Sequence, residues 1–346
     1  MARAARRATL VLVSEPSTSE PPAPFAVAAV DVASADESTS GRREAAAVLE
    51  RAVGPDHADD RFEPHDRTSD GSVLVLARHG DEAMAYVAAG SSRGRFQLDV
   101  VADAERIAEL ADGTANAETT LESLMVSMID RATRIFDHRS SLPSADLEFE
   151  LWGRPRQDWH DRLAERLGLR PVRSLHQMRC PLPVPARPDE EDRTRPIEPD
   201  LDTRRLLEVN NRAFAYHPDQ SDQRLSDLES GFRAPSFQPE SVRILDADPD
   251  DPRAIEHPMV GFCWTKIHGE RPGRVALGEI YVIAVDPAYH GEGHGTGLTT
   301  AGLRWLADQG LATGMLYVES DNEAAIATYR KLGFTVHGTY TAWRRP

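Results

Sequence analysis

The chain carries one order of elements twice, and this repetition limits its fold more than any other feature. Apolar periodicity and turn residues predict a helix at Glu44–Val53 and strands at Ser72–Arg78, Ala83–Ala89 and Phe96–Val101. A helix at Glu118–Phe136, a strand at Asp146–Trp152, a helix at Asp158–Leu167 and a strand at Val172–Cys180 follow. The second half begins with a helix at Asp200–Ala215 and a weaker one at Gln223–Phe232. Strands at Ser241–Asp246, Met259–His268 and Ala276–Val285 come next, then a helix at Thr296–Gln309, a strand at Met315–Glu319, a helix at Asn322–Leu332 and a strand at Phe334–Trp343. Both halves thus read helix, three strands, helix, strand, helix, strand. Their closing segments also align, Leu167-Gly168-Leu169 with Leu332-Gly333-Phe334. A repeated order of this kind indicates a duplicated domain, and 346 residues suit about two domains. The expected division is a flexible arm at 1–30, a first domain at 31–180, a proline-rich, charged linker at 181–199 and a second domain at 200–346. The expected fold class is α/β with a mixed sheet in each domain.

Composition removes several function classes. Lys plus Arg total 40 and Asp plus Glu 56, a net charge of −16. Phosphate backbones and anionic bilayers repel such a chain at long range, so neither nucleic acid nor membrane is an expected partner. The apolar patch Leu10–Val13 is shorter than the ~7–15 residues of a secretory signal, and no run reaches the ~18 of a membrane span. Two cysteines, Cys180 and Cys263, are too few for a disulfide scaffold, and their spacing with the histidines fits no common metal pattern. A cytoplasmic monomer without metal is expected. Of the 40 basic residues only Lys266 and Lys331 are lysines. A retained ammonium differs from a guanidinium fork, which singles out Lys266; Lys331 sits where a helix end favours a cation.

The densest chemical signal is Leu277-Gly278-Glu279-Ile280-Tyr281-Val282-Ile283-Ala284-Val285-Asp286-Pro287. Gly291, Gly293, Gly295 and Gly297 follow at alternate positions and lead into a helix. Glycines let a backbone approach a ligand closely, and amides at a helix start bind anions such as a pyrophosphate. A dinucleotide-binding βαβ unit places its glycines after the first strand; here several strands precede them. Farther on, Asp321 or Asn322 can cap a helix, and Asn322 and Tyr329 share a face two turns apart.

Val285-Asp286-Pro287 with Gly293-His294-Gly295, and Asn322 to Tyr329 ahead of Gly333-Phe334, resemble the GNAT acyltransferase superfamily. The similarity is stronger to its tandem-domain, mycothiol-forming branch. It runs through Val209–Phe214, His217–Gln220, Gly261–Lys266, Gly278–Val282 and Leu316–Asn322, with Gln177–Leu182 ending the first domain. The resemblance implies transfer of acetyl from acetyl-CoA to the cysteinyl amine of cysteinyl-glucosaminyl-inositol, a small thiol-precursor substrate. It implies that Asp219, Lys266, Glu279 and Tyr317 line the acceptor site. It implies that Ile283, Ala284 and Val285 bind the pantetheine arm, that His290, Gly291, Glu292, Gly293, His294, Gly295 and Thr296 hold the pyrophosphate, and that Asn322, Glu323, Ala324, Ala325, Ile326 and Ala327 hold the rest of the coenzyme.

A carboxylate such as Glu279 can take the amine's proton directly or through one water, amides after it can stabilise the developing oxyanion, and the phenol of Tyr329 can protonate the departing thiolate. In the plainer alternative Glu279 is a strand-edge carboxylate and Lys266 faces solvent. Another amine acceptor, such as a peptide or an aminoglycoside, or a non-catalytic acyl-CoA sensor, stays open. The loop departs from the family's usual basic residues: it carries His290, Glu292 and His294, and an acid beside a pyrophosphate weakens binding unless it points away. The first half departs further. No glycine occurs between Val101 and Gly113, so the first domain is expected to be catalytically silent.

Overall fold

A strand that is apolar at every position needs a cover on both faces, and the run from Val73 to Ala77 has one. In the computed structural model, Leu74 and Leu76 pack with Ala45, Val48 and Leu49, while Val73, Val75 and Ala77 pack with Leu121, Met125 and Met128. Residues 26–30, 35–53, 72–92, 94–110, 116–185, 192–215, 224–233, 237–270 and 275–346 are described. They fall into two compact units: one runs to Ser174 and takes in Gly338–Pro346, the other spans Leu175–His337.

The first unit contains β1 (Ala26–Val30), α1 (Ala35–Val53), β2 (Val73–His79), β3 (Glu82–Ser92), β4 (Arg95–Ala102), α2 (Ala104–Leu110), α3 (Asn116–Arg139), β5 (Glu148–Gly153) and α4 (Asp158–Arg166). The boundary with the second falls inside β6 (Arg170–Pro181). The second unit continues with β7 (Arg195–Pro196), α5 (Pro199–Ala213), α6 (Leu225–Phe232), β8 (Val242–Asp246), β9 (Met259–His268), β10 (Leu277–Val285), α7 (His294–Asp308), β11 (Thr313–Glu319) and α8 (Glu323–Lys331). The second boundary falls inside β12 (Thr335–Arg344). Strand order is β1-β2-β3-β4-β5-β12 in the first unit and β6-β11-β10-β9-β8-β7 in the second. Each contains one parallel pair, β4 with β5 and β10 with β11, among antiparallel neighbours. This is the mixed sheet expected, present twice.

Three boundaries differ from the sequence expectation. Ala26–Val30, assigned to the arm, pairs antiparallel with β2 from Ala26↔Arg78 to Val30↔Leu74; residues 1–25 lie outside the described part. Much of 192–199, assigned to the linker, is built into the second unit. Arg195 binds buried Asp202 at 2.6 and 2.9 Å and Asp246 at 2.6 Å, and β7 pairs with β8. The units also do not part at 181–199. Leu175–Pro181 of β6 pairs antiparallel with β11, and Thr341–Arg344 of β12 pairs with β5. The first unit's sheet is therefore completed by residues that follow the second unit in sequence, and the second unit's sheet by residues that the sequence expectation assigned to the first domain. The cause is backbone valence: the outer edges of β5 and β11 carry N–H and C=O groups that need partners. In the first unit, Arg344 also binds buried Glu150 at 2.7 Å, alongside Gln97 at 2.6 Å and the Trp152 indole at 2.8 Å. Burial opposes ionisation of Glu150, but these donors outweigh it and hold its carboxyl below the ordinary range.

Candidate active site

In the second unit the two parallel strands part. Pairing of β10 with β11 runs through Gly278↔Gly314, Glu279↔Met315 and Ile280↔Leu316. Meanwhile β9 stays on the other edge of β10 as far as Val285↔Gly261, with a bulge between Ile280 and Val282. A bulge bends and re-aims a strand. The result is an edge, Val282–Val285, whose backbone groups facing away from β9 have no strand partner among the described residues. Ile283, Ala284 and Val285, the expected pantetheine contacts, all lie on it.

The loop after β10 continues this unpaired surface. Gly291 and Gly293 have φ of 85° and 84°, a left-handed conformation that glycine adopts without strain, and Gly293 is the N-cap of α7. The N–H groups of Gly291, Glu292, Gly293, His294 and Gly295 find no acceptor among the described residues. Consecutive free amides at the start of a fifteen-residue helix suit an anion. The residues present therefore fit a pyrophosphate-bearing coenzyme. His290 is less available than expected: its Nε2 lies 2.9 Å from the Val285 carbonyl.

Asp286 anchors the loop. It is fully buried. Its N–H donates to Val260 O at 2.8 Å, and its carboxylate accepts from Ala288 N–H at 3.0 Å, Arg212 Nε at 2.8 Å and His257 Nδ1 at 3.1 Å. Burial opposes its ionisation, but the Ala288 amide, Arg212 and His257 outweigh that and hold the carboxyl below the ordinary value.

Glu292 is not the liability the sequence suggested. Arg253 Nη1 contacts its Oε1 at 2.5 Å, and His294 Nε2 lies 3.2 Å from its Oε2. Hydrogen bonds first from Arg253 and then from His294 hold its carboxyl below the ordinary range. The guanidinium also binds Asp251, donates to Ala288 O at 2.8 Å and sits 4.3 Å from the Tyr289 ring centre. Every Arg253 N–H is engaged, so it compensates Glu292 and clamps the loop from 39 residues away in sequence. Neither Arg253 nor Arg212 was singled out for a role from sequence, because each acts across strands.

Strand pairing collects the acceptor-side residues. Glu279 is 1% exposed and stands directly opposite Lys266. Pairing of Glu279 with Met315 places Tyr317, two residues on, on the same face. The Lys266 ammonium lies 3.2 Å from the Tyr281 ring centre, and Tyr281 meets Trp264 edge-on at 5.5 Å. Tyr317 OH accepts from Gln177 Nε2 at 2.7 Å. Sequence reasoning also missed His268, whose Nε2 lies 2.9 Å from Glu279 Oε2. Asp219 lies outside the described residues. Tyr329 is on the opposite face, in the core formed by α7, α8 and β11. Burial pushes its phenol up to about 12. Asn322 caps α8, its side chain accepting from Ala325 N–H at 3.1 Å, so Glu323–Ala327 form the first turn of that helix.

The first unit carries the same frame with other contents. Asp103 ends β4 as Asp286 ends β10: its N–H donates to Met84 O at 2.9 Å, and its carboxylate pairs with Arg51, from the last turn of α1, at 3.2 Å. The parallel pair Gln97↔Glu150 matches Glu279↔Met315, because in each unit the helix N-cap follows seven residues later, at Gln157 and Asn322. Gln97 thus occupies the place of Glu279 and Ala164 that of Tyr329. In place of a glycine loop, α2 starts directly after Asp103, and Asp103 caps its own helix at Arg106 N–H, 3.1 Å away.

The profile of the acetyltransferase (GNAT) family matches residues 206–334. A mycothiol acetyltransferase of Segniliparus rotundus is 40% identical over 212 residues, which are 60% of this chain and 77% of the relative. A GCN5-related N-acetyltransferase from Sphaerobacter thermophilus superposes with a TM-score of 0.66 at 20% identity, covering 93% of this chain and 96% of that one. A tandem GNAT protein from the clavulanic acid biosynthesis pathway superposes with a TM-score of 0.57 at 15% identity, covering 92% and 98%.

Proposed function

The chain belongs to the mycothiol acetyltransferase family, and from that premise we propose that its second unit transfers acetyl from acetyl-CoA to the cysteinyl amine of cysteinyl-glucosaminyl-inositol, the closing step of mycothiol synthesis. The observation that carries the reading is the parting of β10 from β11 after Ile280, continued by the free amides of Gly291–Gly295, with buried Glu279 at the point of parting. The Gly291–Gly295 amides hold the pyrophosphate and the Val282–Val285 edge holds the pantetheine amides. Acetyl-CoA supplies the activated acetyl group as a thioester. Glu279 takes a proton from the attacking amine. Unpaired amides on β10 stabilise the negative charge that grows on the acetyl oxygen. Tyr329, kept protonated by burial, delivers a proton to the departing sulfur. Glu279 and Tyr329 act from opposite faces of the sheet, so only a group lying in the split meets both.

The first unit is catalytically silent in this reading. It has Gln97 for the base, Ala164 for the acid and α2 for the cradle. Mass-spectrometric detection of N-acetylated product tests the proposal, with the cysteinyl-glucosaminyl-inositol compared against peptide and aminoglycoside amines. A clear preference for the former is expected; equal or better turnover of another amine refutes the acceptor assignment, and no acetyl transfer to any amine refutes the reaction.

A further inference from the structure

A carboxylate as buried as Glu279 needs hydrogen bonds in place of the water it has lost, and a base must also hold its orientation. Glu279 stands opposite Lys266 in the β9–β10 ladder, and His268 is the next residue along β9 on the same face. Diagonal neighbours of this kind are within reach of a long side chain. His268 Nε2 lies 2.9 Å from Glu279 Oε2. Two lone pairs repel at that separation, so a proton lies between the atoms. With the carboxylate ionised it belongs to Nε2, which donates to Oε2. The imidazole side chain is 16% exposed against 1% for the carboxylate, so the ring spans from solvent to the buried base. Lys266, the nearer residue in register, has its ammonium on the Tyr281 ring.

Resting on the proposed role of Glu279, we propose that His268 is the positioning residue of the general base: its Nε2–H fixes Oε2 and so sets the direction in which Glu279 meets the acceptor amine. It touches neither substrate and exchanges no proton with the amine. Its effect therefore falls on turnover, not on coenzyme affinity.

The test is steady-state kinetics of acetyl transfer by full-length wild type, His268→Leu, His268→Gln, Glu279→Gln and the His268→Leu/Glu279→Gln double variant. Both the cysteinyl-glucosaminyl-inositol and a simple cysteine amide serve as acceptors, with a thermal melt of each protein. Loss of a hydrogen bond to a charged group predicts a fall in kcat of roughly ten- to hundredfold for His268→Leu, with KM for acetyl-CoA within about twofold of wild type. His268→Gln, whose carboxamide can donate from the same side, recovers most of the loss. In the double variant the Leu substitution adds no further loss, because the base it orients is gone. The idea is overturned if His268→Leu keeps wild-type kcat, if it slows Glu279→Gln by the same factor as wild type, or if Gln is as impaired as Leu in proteins that melt alike. A wild type that acetylates only the simple amide refutes the acceptor assignment, and the His268 comparison is then read on that amine. A Glu279→Gln enzyme as fast as wild type refutes the base and the positioning role together.

Discussion

Replacing Asp286 by Asn tests whether the coenzyme cradle hangs from one buried carboxylate. Asn keeps the shape and one carbonyl oxygen, which can still accept from Ala288 N–H. It turns the other oxygen into an NH2 facing the Arg212 guanidinium, a donor against a donor. Cutting a buried ion pair usually costs about 3–5 kcal/mol. Arg212 keeps 35% of its side chain exposed and so remains solvated once the pair is gone, which places the expected loss at about 2–3 kcal/mol. Urea unfolding at pH 7 should show a lower midpoint with an unchanged slope, and KM for acetyl-CoA should rise severalfold as the loop after Asp286 loosens. The pH dependence gives a second handle. The folded carboxyl titrates below its ordinary value, so its contribution is complete above about pH 4 and disappears as pH falls through the folded value. The stability gap between wild type and Asp286→Asn should therefore close in acid. A gap below about 0.5 kcal/mol at pH 7, or one that persists at the same size in acid, would refute the reasoning.

Two further outcomes follow from the same loop and core. Arg253→Ala leaves Glu292 uncompensated beside the phosphate site, so KM for acetyl-CoA should rise about fivefold. In a Glu292→Gln background the same change should matter less than twofold, and equal effects in both backgrounds would show that Arg253 does not act through Glu292. Tyr329→Phe should lower kcat by about tenfold or more while coenzyme affinity measured by calorimetry stays the same. Because burial pushes this phenol up to about 12, it should contribute no alkaline decline to the wild-type kcat profile at pH 9–10.

What the sequence disclosed is what short-range chemistry encodes. The run Leu277–Val285, the glycines behind it and the cap at Asn322 each state their own conformation within a few residues, and β9 was placed at its observed limits, Met259–His268. The duplication was legible for the same reason, since it repeats local patterns. Residues that act across the sheet were not. Arg253 meets Glu292 only because a short turn before β9 packs on the loop after β10, and His268 meets Glu279 only through the β9–β10 register. The partner of β6 was equally hidden: alternation in Val172–Cys180 identifies a strand but does not name the strand beside it. The α2 helix was missed because seven residues give little periodicity to detect.

The placement of β6 and β12 also bears on how the chain is made. A ribosome releases β5 long before Thr341–Arg344 are made, yet the open edge of β5 waits for them. The first unit therefore stays unfinished until β12 has been made. The second unit, in turn, needs Leu175–Pro181, a piece of β6 that a cut in the proline-rich segment would leave with the wrong fragment. A fission of the chain at its most inviting point, the proline-rich segment, would remove Gln177, the partner of Tyr317, from the fragment that holds the active site.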